Sequence, residues 1–355
     1  MAAGGSMDIE KAKKVAQEVV GDVASVMHGA LCYIGDRLGL FRSMMDAGAV
    51  TVDQLAERTG LSSRYLREWL GAMAAAHYVE YDGAAGTYFL TPEYAAALAD
   101  EDSPFFICSY FQMAQSLMMV APEVAEAFKT GKGVTQAQYP AGMFEAAERN
   151  SRVRYKHKLL RKWLPAMPQV VAALETGGTA ADVGCGGGRA AIMIARSFPA
   201  CHVWGFDIHA ESLARAGRNA ENAGVADRVR FELANGRELP GTFDFISTFD
   251  VVHDAVDPLG LMSTIRRALK PNGTYLIQEI NTSADLRDNL KPMGKMLYSV
   301  STLYCMTTSL AHGGAGIGSL MGEAKARELA RAAGFSQFTR LPIKDDFAVL
   351  YELRP

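Results

Sequence analysis

Asp182-x-Gly184-x-Gly186-x-Gly188, inside the stretch ADVGCGGGRAAIMIARSF, is the densest chemical signal in the sequence. Glycines at that spacing let a backbone turn tightly and come close to a ligand. The helix-like run that follows aims its free N–H groups at the same place. Asp207 closes the next strand-like run, where an acid can hold ribose hydroxyls. The loop therefore reads as a nucleotide cradle. It departs from the dinucleotide pattern GxGxxG, because the sixth position counted from Gly184 is Arg189. A second group lies further on. His253-Asp254 follows another strand-like run in FDVVHDAVDPLG, and Glu279 ends the run after that. Histidine can take a proton near neutral pH, and a nearby carboxylate can orient it.

Such groups need a scaffold that gathers strand ends. After Gly177 the chain alternates strands, expected near 179–183, 202–207, 229–233, 243–249 and 273–280, with helices between them. The tail adds a helix at 322–333 and strands at 336–342 and 346–353. That alternation predicts an α/β fold, a Rossmann-like parallel sheet with helices on both faces and a ligand crevice at the carboxyl ends of its strands. Ahead of it, Val15, Val19, Val20, Val23, Val26, Leu31, Ile34 and Leu38 recur at helical spacing. In TVDQLAERTGLSSRYLREWLGAMAAAHYVEYDGAAGTYFLTP, Thr51 is a natural N-cap and Ser62 or Ser63 opens a second helix. Strands at 78–81 and 87–90 then flank a Gly-rich turn. Helix, turn, helix, hairpin is a winged-helix outline. Three regions are expected: a winged-helix dimerisation domain at 7–100, a helical linker and substrate lid at 101–175, and the α/β domain at 176–355.

Composition removes several function classes. A net charge of −3 gives no electrostatic footprint for nucleic acid or an anionic membrane surface. Cys32, Cys108, Cys185, Cys201 and Cys305 are odd in number and far apart, which predicts reduced thiols, no disulfide framework and no metal. The N-terminus lacks the apolar core of a signal peptide, and its first six residues, ahead of Met7, read as a leader outside the fold. The most apolar stretch, 105–121, is too short and too polar to span a bilayer. A cytoplasmic protein is expected.

The loop, the following acid and the αβ units resemble the class I S-adenosylmethionine-dependent methyltransferases over about 175–355. The resemblance implies S-adenosyl-L-methionine as cofactor and S-adenosyl-L-homocysteine as its product. It implies that Asp182 and the backbone of Gly184, Gly186 and Gly188 meet the methionine end, and that Asp207, with Ile208 beside it, takes the ribose. Asn235 and Gly236 stand where the family contacts adenine, although many members carry Asp at the first of these positions. Phe249 and Asp250 match the cofactor-facing end of the fourth strand. FDVVHDAVDPLGLMSTIRRALKPNG extends the likeness to two-domain small-molecule O-methyltransferases, in which a histidine after that strand removes the acceptor's proton. Here that residue is His253; Glu279, at the end of the fifth strand, could orient His253 or the substrate, and Tyr139 is a further catalytic candidate. Tyr110, Met143, Phe144 and Tyr155 are candidates for contact with the substrate. So is His312, in the Gly-rich loop AHGGAGIGS (311–319), which reads either as a lid or as a connection. In such enzymes the winged-helix module forms a homodimer and helps wall the substrate cleft.

Two rival functions come from other chemistry. A thioether acceptor would become a sulfonium with no proton to remove, so an S-methyltransferase would need no base. A metabolite-sensing DNA-binding regulator would use the winged helix. Its would-be recognition helix carries Arg64 and Arg67 but is otherwise apolar, and its wing has no basic residue, whereas DNA readers need several phosphate contacts.

Overall fold

The computed structural model describes residues 7–234 and 238–355. They fall into two compact units, one ending at Gln115 and one beginning at Ser116.

The first unit begins with α1 (Ile9–Arg37), capped by the Asp8 carboxylate on the Lys11 N–H. Its valines remain exposed: Val15, Val19, Val20, Val23 and Val26 lie on the surface of the described residues. Only its last turns are buried, at Cys32 and Gly35, where the Trp69 Nε1–H donates to Leu31 O at 3.0 Å. After α2 (Leu40–Met45), α3 (Val52–Thr59) opens on the expected Thr51, which forms a capping box with Gln54. α4 (Ser63–Ala75) buries Leu66, Trp69, Leu70 and Met73. The hairpin β1 (Glu80–Asp82) and β2 (Thr87–Phe89) closes through a turn in which Asp82 Oδ1 accepts the Ala84 and Ala85 N–H groups. α5 (Pro92–Leu98) follows, and α6 (Ser109–Met119) runs to the unit boundary and beyond it. The winged-helix outline is present.

In the second unit, α7 (Ala121–Thr130) and α8 (Ala141–Arg154) lead into a π-helical stretch, Tyr155–Trp163, and then α9 (Pro168–Glu175). The expected alternation follows: β3 (Thr179–Val183), α10 (Arg189–Ser197), β4 (His202–Asp207), α11 (Ala210–Asn222), β5 (Val229–Leu233), β6 (Phe243–Phe249), α12 (Pro258–Ala268) and β7 (Leu269–Ile280). Next come α13 (Pro292–Val300), a π-helical turn at Ser301–Cys305, α14 (Met306–Ala311), α15 (Gly322–Ala332), β8 (Gln337–Arg340) and β9 (Ala348–Arg354). The seven strands pair in the order β5-β4-β3-β6-β7-β9-β8. Neighbours are parallel except for β9, which runs against both β7 and β8. The few residues between β8 and β9 cannot build a crossover, so the tail closes as a hairpin.

Successive side chains on a strand point to opposite faces, and β6 sends Phe245 into one core and Ile246 into the other. The first core joins Leu159, Trp163, Ile194 and Val203; the second joins Met262, Ile265, Ile277 and Leu329. Strand order reverses between β3 and β6, and the crevice outside the carboxyl ends of these strands is where such sheets bind ligands.

Candidate active site

The ends of β3, β4, β6 and β7 carry Asp182, Asp207, Asp250 with His253, and Glu279, so the sheet assembles what the sequence scatters.

The glycine loop is held from β4. Gly184 N–H and Cys185 N–H donate to Phe206 O at 2.7 and 3.0 Å, and Gly186 N–H donates to Asp207 Oδ2 at 2.7 Å. Gly184 sits at a φ of 74°, and a Cβ there would lie 2.4 Å from Val251 Cγ2. Gly186, at a φ of 52°, has open space around it, so its backbone and not its surroundings asks for glycine. Gly188 caps α10 in a left-handed conformation. Asp207 thus fixes the cradle with one oxygen and takes the His209 N–H with the other at 2.8 Å. Each carboxylate oxygen keeps a lone pair for a ligand hydroxyl.

Asp182 is 2% exposed, and its side-chain donor among the described residues is Ser247 Oγ at 3.2 Å. Burial pushes its pKa up to about 7; the Ser247 hydrogen bond opposes the rise and Asp207 adds to it. A buried carboxylate without a cation invites one, and a ligand carrying ammonium and sulfonium charge fits that need.

α8 reaches over this cradle by three side chains that sequence reasoning missed or misread. Glu148 accepts from Arg189 Nε at 2.8 Å, Asn219 Nδ2 at 2.9 Å and Arg215 Nε at 3.2 Å. A Cβ on Gly187 would meet the Glu148 carboxylate at 2.3 Å. Phe144 stacks on His209 with centroids 4.2 Å apart, which ties it to the end of β4. Arg154 pairs with Asp250 at 2.6 Å, and Gln278 Nε2 donates to the other Asp250 oxygen at 2.8 Å. Asp250 holds a φ of 56°, uncommon for a residue with a side chain. Tyr155 is buried against Phe249, centroids 5.0 Å apart, within electrostatic reach of Asp182. It stands against the end of β6; the sequence suggested a substrate contact for it. Met143 is buried and Ile208 is exposed. Tyr110 belongs to the first unit and is 40% exposed. Asn235 and Gly236 lie outside the described residues.

His253 is 2% exposed. Its Nδ1 lies 2.5 Å from Glu279 Oε2, and Glu279 Oε1 accepts the N–H groups of Val252 at 3.0 Å and His253 at 3.3 Å. One carboxylate therefore fixes both the ring and the loop that carries it. Nε2 lies 3.1 Å from Asp254 Oδ1. Burial pulls the imidazole pKa down, but Glu279, Asp254 and Cys305 outweigh it and raise the pKa well above the ordinary value. Burial also raises Glu279, against the pull of His253. A proton on the ring is held between carboxylates, so the ring accepts one from a ligand only from its deprotonated form, which higher pH favours.

Two further sequence candidates have other surroundings. Tyr139 is buried and donates its hydroxyl to Leu303 O at 2.6 Å, with its ring edge-on to Tyr304. That proton is given to the backbone, and burial raises the phenol further. His312 is exposed beyond the end of α14 and does not reach inward. Its loop is neither a free lid nor a slack connection. Gly318 N–H donates to His253 O at 3.1 Å, and Ala315 N–H to Val256 O at 3.0 Å. Ser309 Oγ donates to Ala255 O at 3.0 Å. Segment 309–319 is a belt around the base loop, and it brings Cys305 and Ser319 up to His253. Regular spacing could not have announced Cys305, since a π-helical turn breaks the period.

Residues 174–334 match the profile of a methyltransferase domain, and residues 27–100 that of the Rv2258c-like winged HTH domain. The chain is 34% identical over 139 residues to 27-O-demethylrifamycin SV methyltransferase of Amycolatopsis mediterranei, covering 37% of this chain and 51% of that protein. It is 29% identical over 150 residues to sterol 24-C-methyltransferase ERG6B of Gibberella zeae, covering 37% and 39%. These matches span about half or less of the relatives' own lengths. Human N-acetylserotonin methyltransferase, solved with its cofactor SAM, superposes with a TM-score of 0.66 at 20% identity, over 99% of each chain. At that identity the likeness is one of fold.

Proposed function

We propose that this chain, whose residues 174–334 are a methyltransferase domain and whose residues 27–100 are a winged helix-turn-helix domain, moves a methyl group from S-adenosyl-L-methionine to a hydroxyl on a small molecule. The observation that carries the reading is His253, buried at the carboxyl end of β6, held by Glu279 and adjacent to the glycine cradle. The bound cofactor supplies an electrophilic methyl on a positively charged sulfur. Asp182 offers that end of the ligand a buried negative charge, Asp207 offers ribose its free lone pairs, and Glu148 and Arg154 keep α8 across the cradle. In-line attack needs an aligned nucleophile, and a hydroxyl attacks well only as its proton leaves. His253 Nε2 takes that proton while Glu279 holds Nδ1 and balances the new charge.

The 27-O-demethylrifamycin and N-acetylserotonin relatives, by their names, favour a small-molecule acceptor, and the base at His253 favours oxygen over sulfur. A screen of hydroxylated acceptors with labelled cofactor, repeated with His253→Asn, tests the reading. A thioether turned over equally well by the variant would replace it.

The exposed valine face of α1 supports a homodimer built by the first unit. A DNA-binding role finds little support: Arg64 is paired with Glu68, and the wing turn is built on Asp82. No described helix is long and apolar enough to cross a membrane, and five unpaired, buried cysteines fit a reducing cytoplasmic compartment.

A further inference from the structure

The geometry points to a second use of the base site: His253, Asp254 and Cys305 form a three-ligand site for a thiophilic divalent cation of the zinc type, and a bound cation takes the nitrogen that the base needs. One ligand atom from each, a ring nitrogen, a carboxylate oxygen and Sγ, lies within 4.8 Å of the others, and Nε2 is 3.1 Å from Oδ1. Among the described residues no other three such groups come this close.

Three observations support a built site. Asp254 Oδ1 is buried without a hydrogen bond, although it lies 3.1 Å from Nε2. A buried acceptor left in that state is costly unless a ligand uses it. Glu279 grips Nδ1 at 2.5 Å, which turns the Nε2 lone pair toward the other two ligands, as carboxylates do behind metal-binding histidines. Cys305 ends the π-helical turn Ser301–Cys305, a distortion that recurs at functional sites. That turn is locked in place, with Ser319 N–H on Ser301 Oγ at 3.1 Å and Ser319 Oγ donating to Cys305 Sγ at 3.1 Å.

The donor set of one nitrogen, one sulfur and one oxygen suits zinc, and three protein ligands leave one position open. Bonds of about 2.0–2.3 Å place tetrahedral ligand atoms about 3.5 Å apart, so the three groups need only small shifts to close. On binding, the zinc–sulfur and zinc–nitrogen bonds form as the Cys305 thiol and the protonated His253 ring each release a proton to solvent, and no electron moves. Nε2 has one lone pair in this plane, so a cation and an acceptor proton exclude one another. Zinc therefore inhibits methyl transfer and a chelator restores it. This last step rests on the proposed role of His253 as a base; the binding itself does not.

The test uses the full-length protein, stripped of metal by a chelator and titrated with cobalt(II) and then zinc. We expect a cobalt–thiolate charge-transfer band that saturates at one ion per chain and is displaced by zinc. Cys305→Ser should lose the band, and Glu279→Gln should weaken binding by about 10–100-fold. If Cys305→Ser does not fold, Asp254→Asn replaces it, keeping the band with affinity lower by at least about tenfold. No band in the parent protein, or an unchanged band in Cys305→Ser, overturns the site. With an acceptor in hand, the ratio of rates with and without zinc is compared between the parent and Cys305→Ser. Inhibition confined to the parent supports the competition. Stoichiometric binding with an unaltered rate overturns it, and removes the base role while leaving the cation site standing.

Discussion

Glu148, on α8, accepts a hydrogen bond from Arg189 at 2.8 Å and lies against the one glycine of the cradle, Gly187, that leaves it room. The same carboxylate takes Asn219, whose amide also donates to Gly187 O at 2.8 Å. Arg215 continues the line to Ser212, which meets His209 Nδ1 at 2.8 Å. His209 in turn touches both Phe144 and Asp207. The helix over the crevice and the loop beneath it thus share one polar network, and such networks stiffen as a unit.

Replacing Glu148 with Gln removes the charge but keeps the shape, leaving two arginines without their shared partner. Cofactor affinity should fall by about tenfold, within the 1–3 kcal/mol range of charge-assisted hydrogen bonds. Calorimetry with S-adenosyl-L-homocysteine reads this directly. An unchanged affinity would mean that α8 does not order the cradle.

Asp182 should make cofactor binding depend on pH. Its folded pKa of about 7 lies above the ordinary 3.8, so the folded chain holds a proton that the unfolded chain has lost. That contribution to stability is complete below about pH 4 and is lost as pH rises to about 7, worth a few kcal/mol over the window. A bound cation reverses the balance by favouring the carboxylate. Affinity should therefore drop as pH falls below about 7, and the cofactor-induced rise in Tm should be larger at pH 8 than at pH 6. Asp182→Asn should flatten both trends, and parallel slopes in variant and parent would refute the assignment.

His253→Asn keeps the size of the ring's proximal half but removes the basic nitrogen. Loss of a general base lowers kcat by about 10²–10⁴-fold. Cofactor affinity should hardly move, because in this reading the ring faces the acceptor. A variant within a few-fold of the parent on its best acceptor would point to sulfur methylation instead.

The valine face of α1 should carry the dimer. Val19→Lys combined with Val23→Lys places two charges on an exposed apolar stripe without touching either core. Light scattering should register a monomer for the pair and a dimer for the parent. A parent that is itself monomeric, or that protects one DNA sequence from cleavage at high salt, would contradict this reading.

Much of this was legible in the residues because it was periodic or punctuated. The strands from β3 to β6 fall where alternation and turns put them, and Thr51 caps α3 as its residue type predicts. The antiparallel course of β9 was not legible, because a strand's pattern carries no polarity. The glycine loop and the His253–Glu279 pair could be singled out because both stand at strand ends. Glu148, Arg154 and Cys305 were not, because each lies on a helix where a charged or small residue is unremarkable and only the fold supplies its partner. His312 and Tyr139 show the converse. Their types promise chemistry, but one faces solvent and the other gives its proton to a backbone carbonyl.

The belt at 309–319 also bears on how the site comes into being. Asp182, Asp207 and the glycine loop are joined by neighbouring strands and can take shape from contacts of modest sequence separation. The loop of His253 waits for Ser309, Ala315 and Gly318, much further along the chain. Contacts that close longer stretches carry a larger entropic cost and form later. The cradle should then mature first and the proton acceptor last, so a newly made or partly opened chain can hold its cofactor before it can use it.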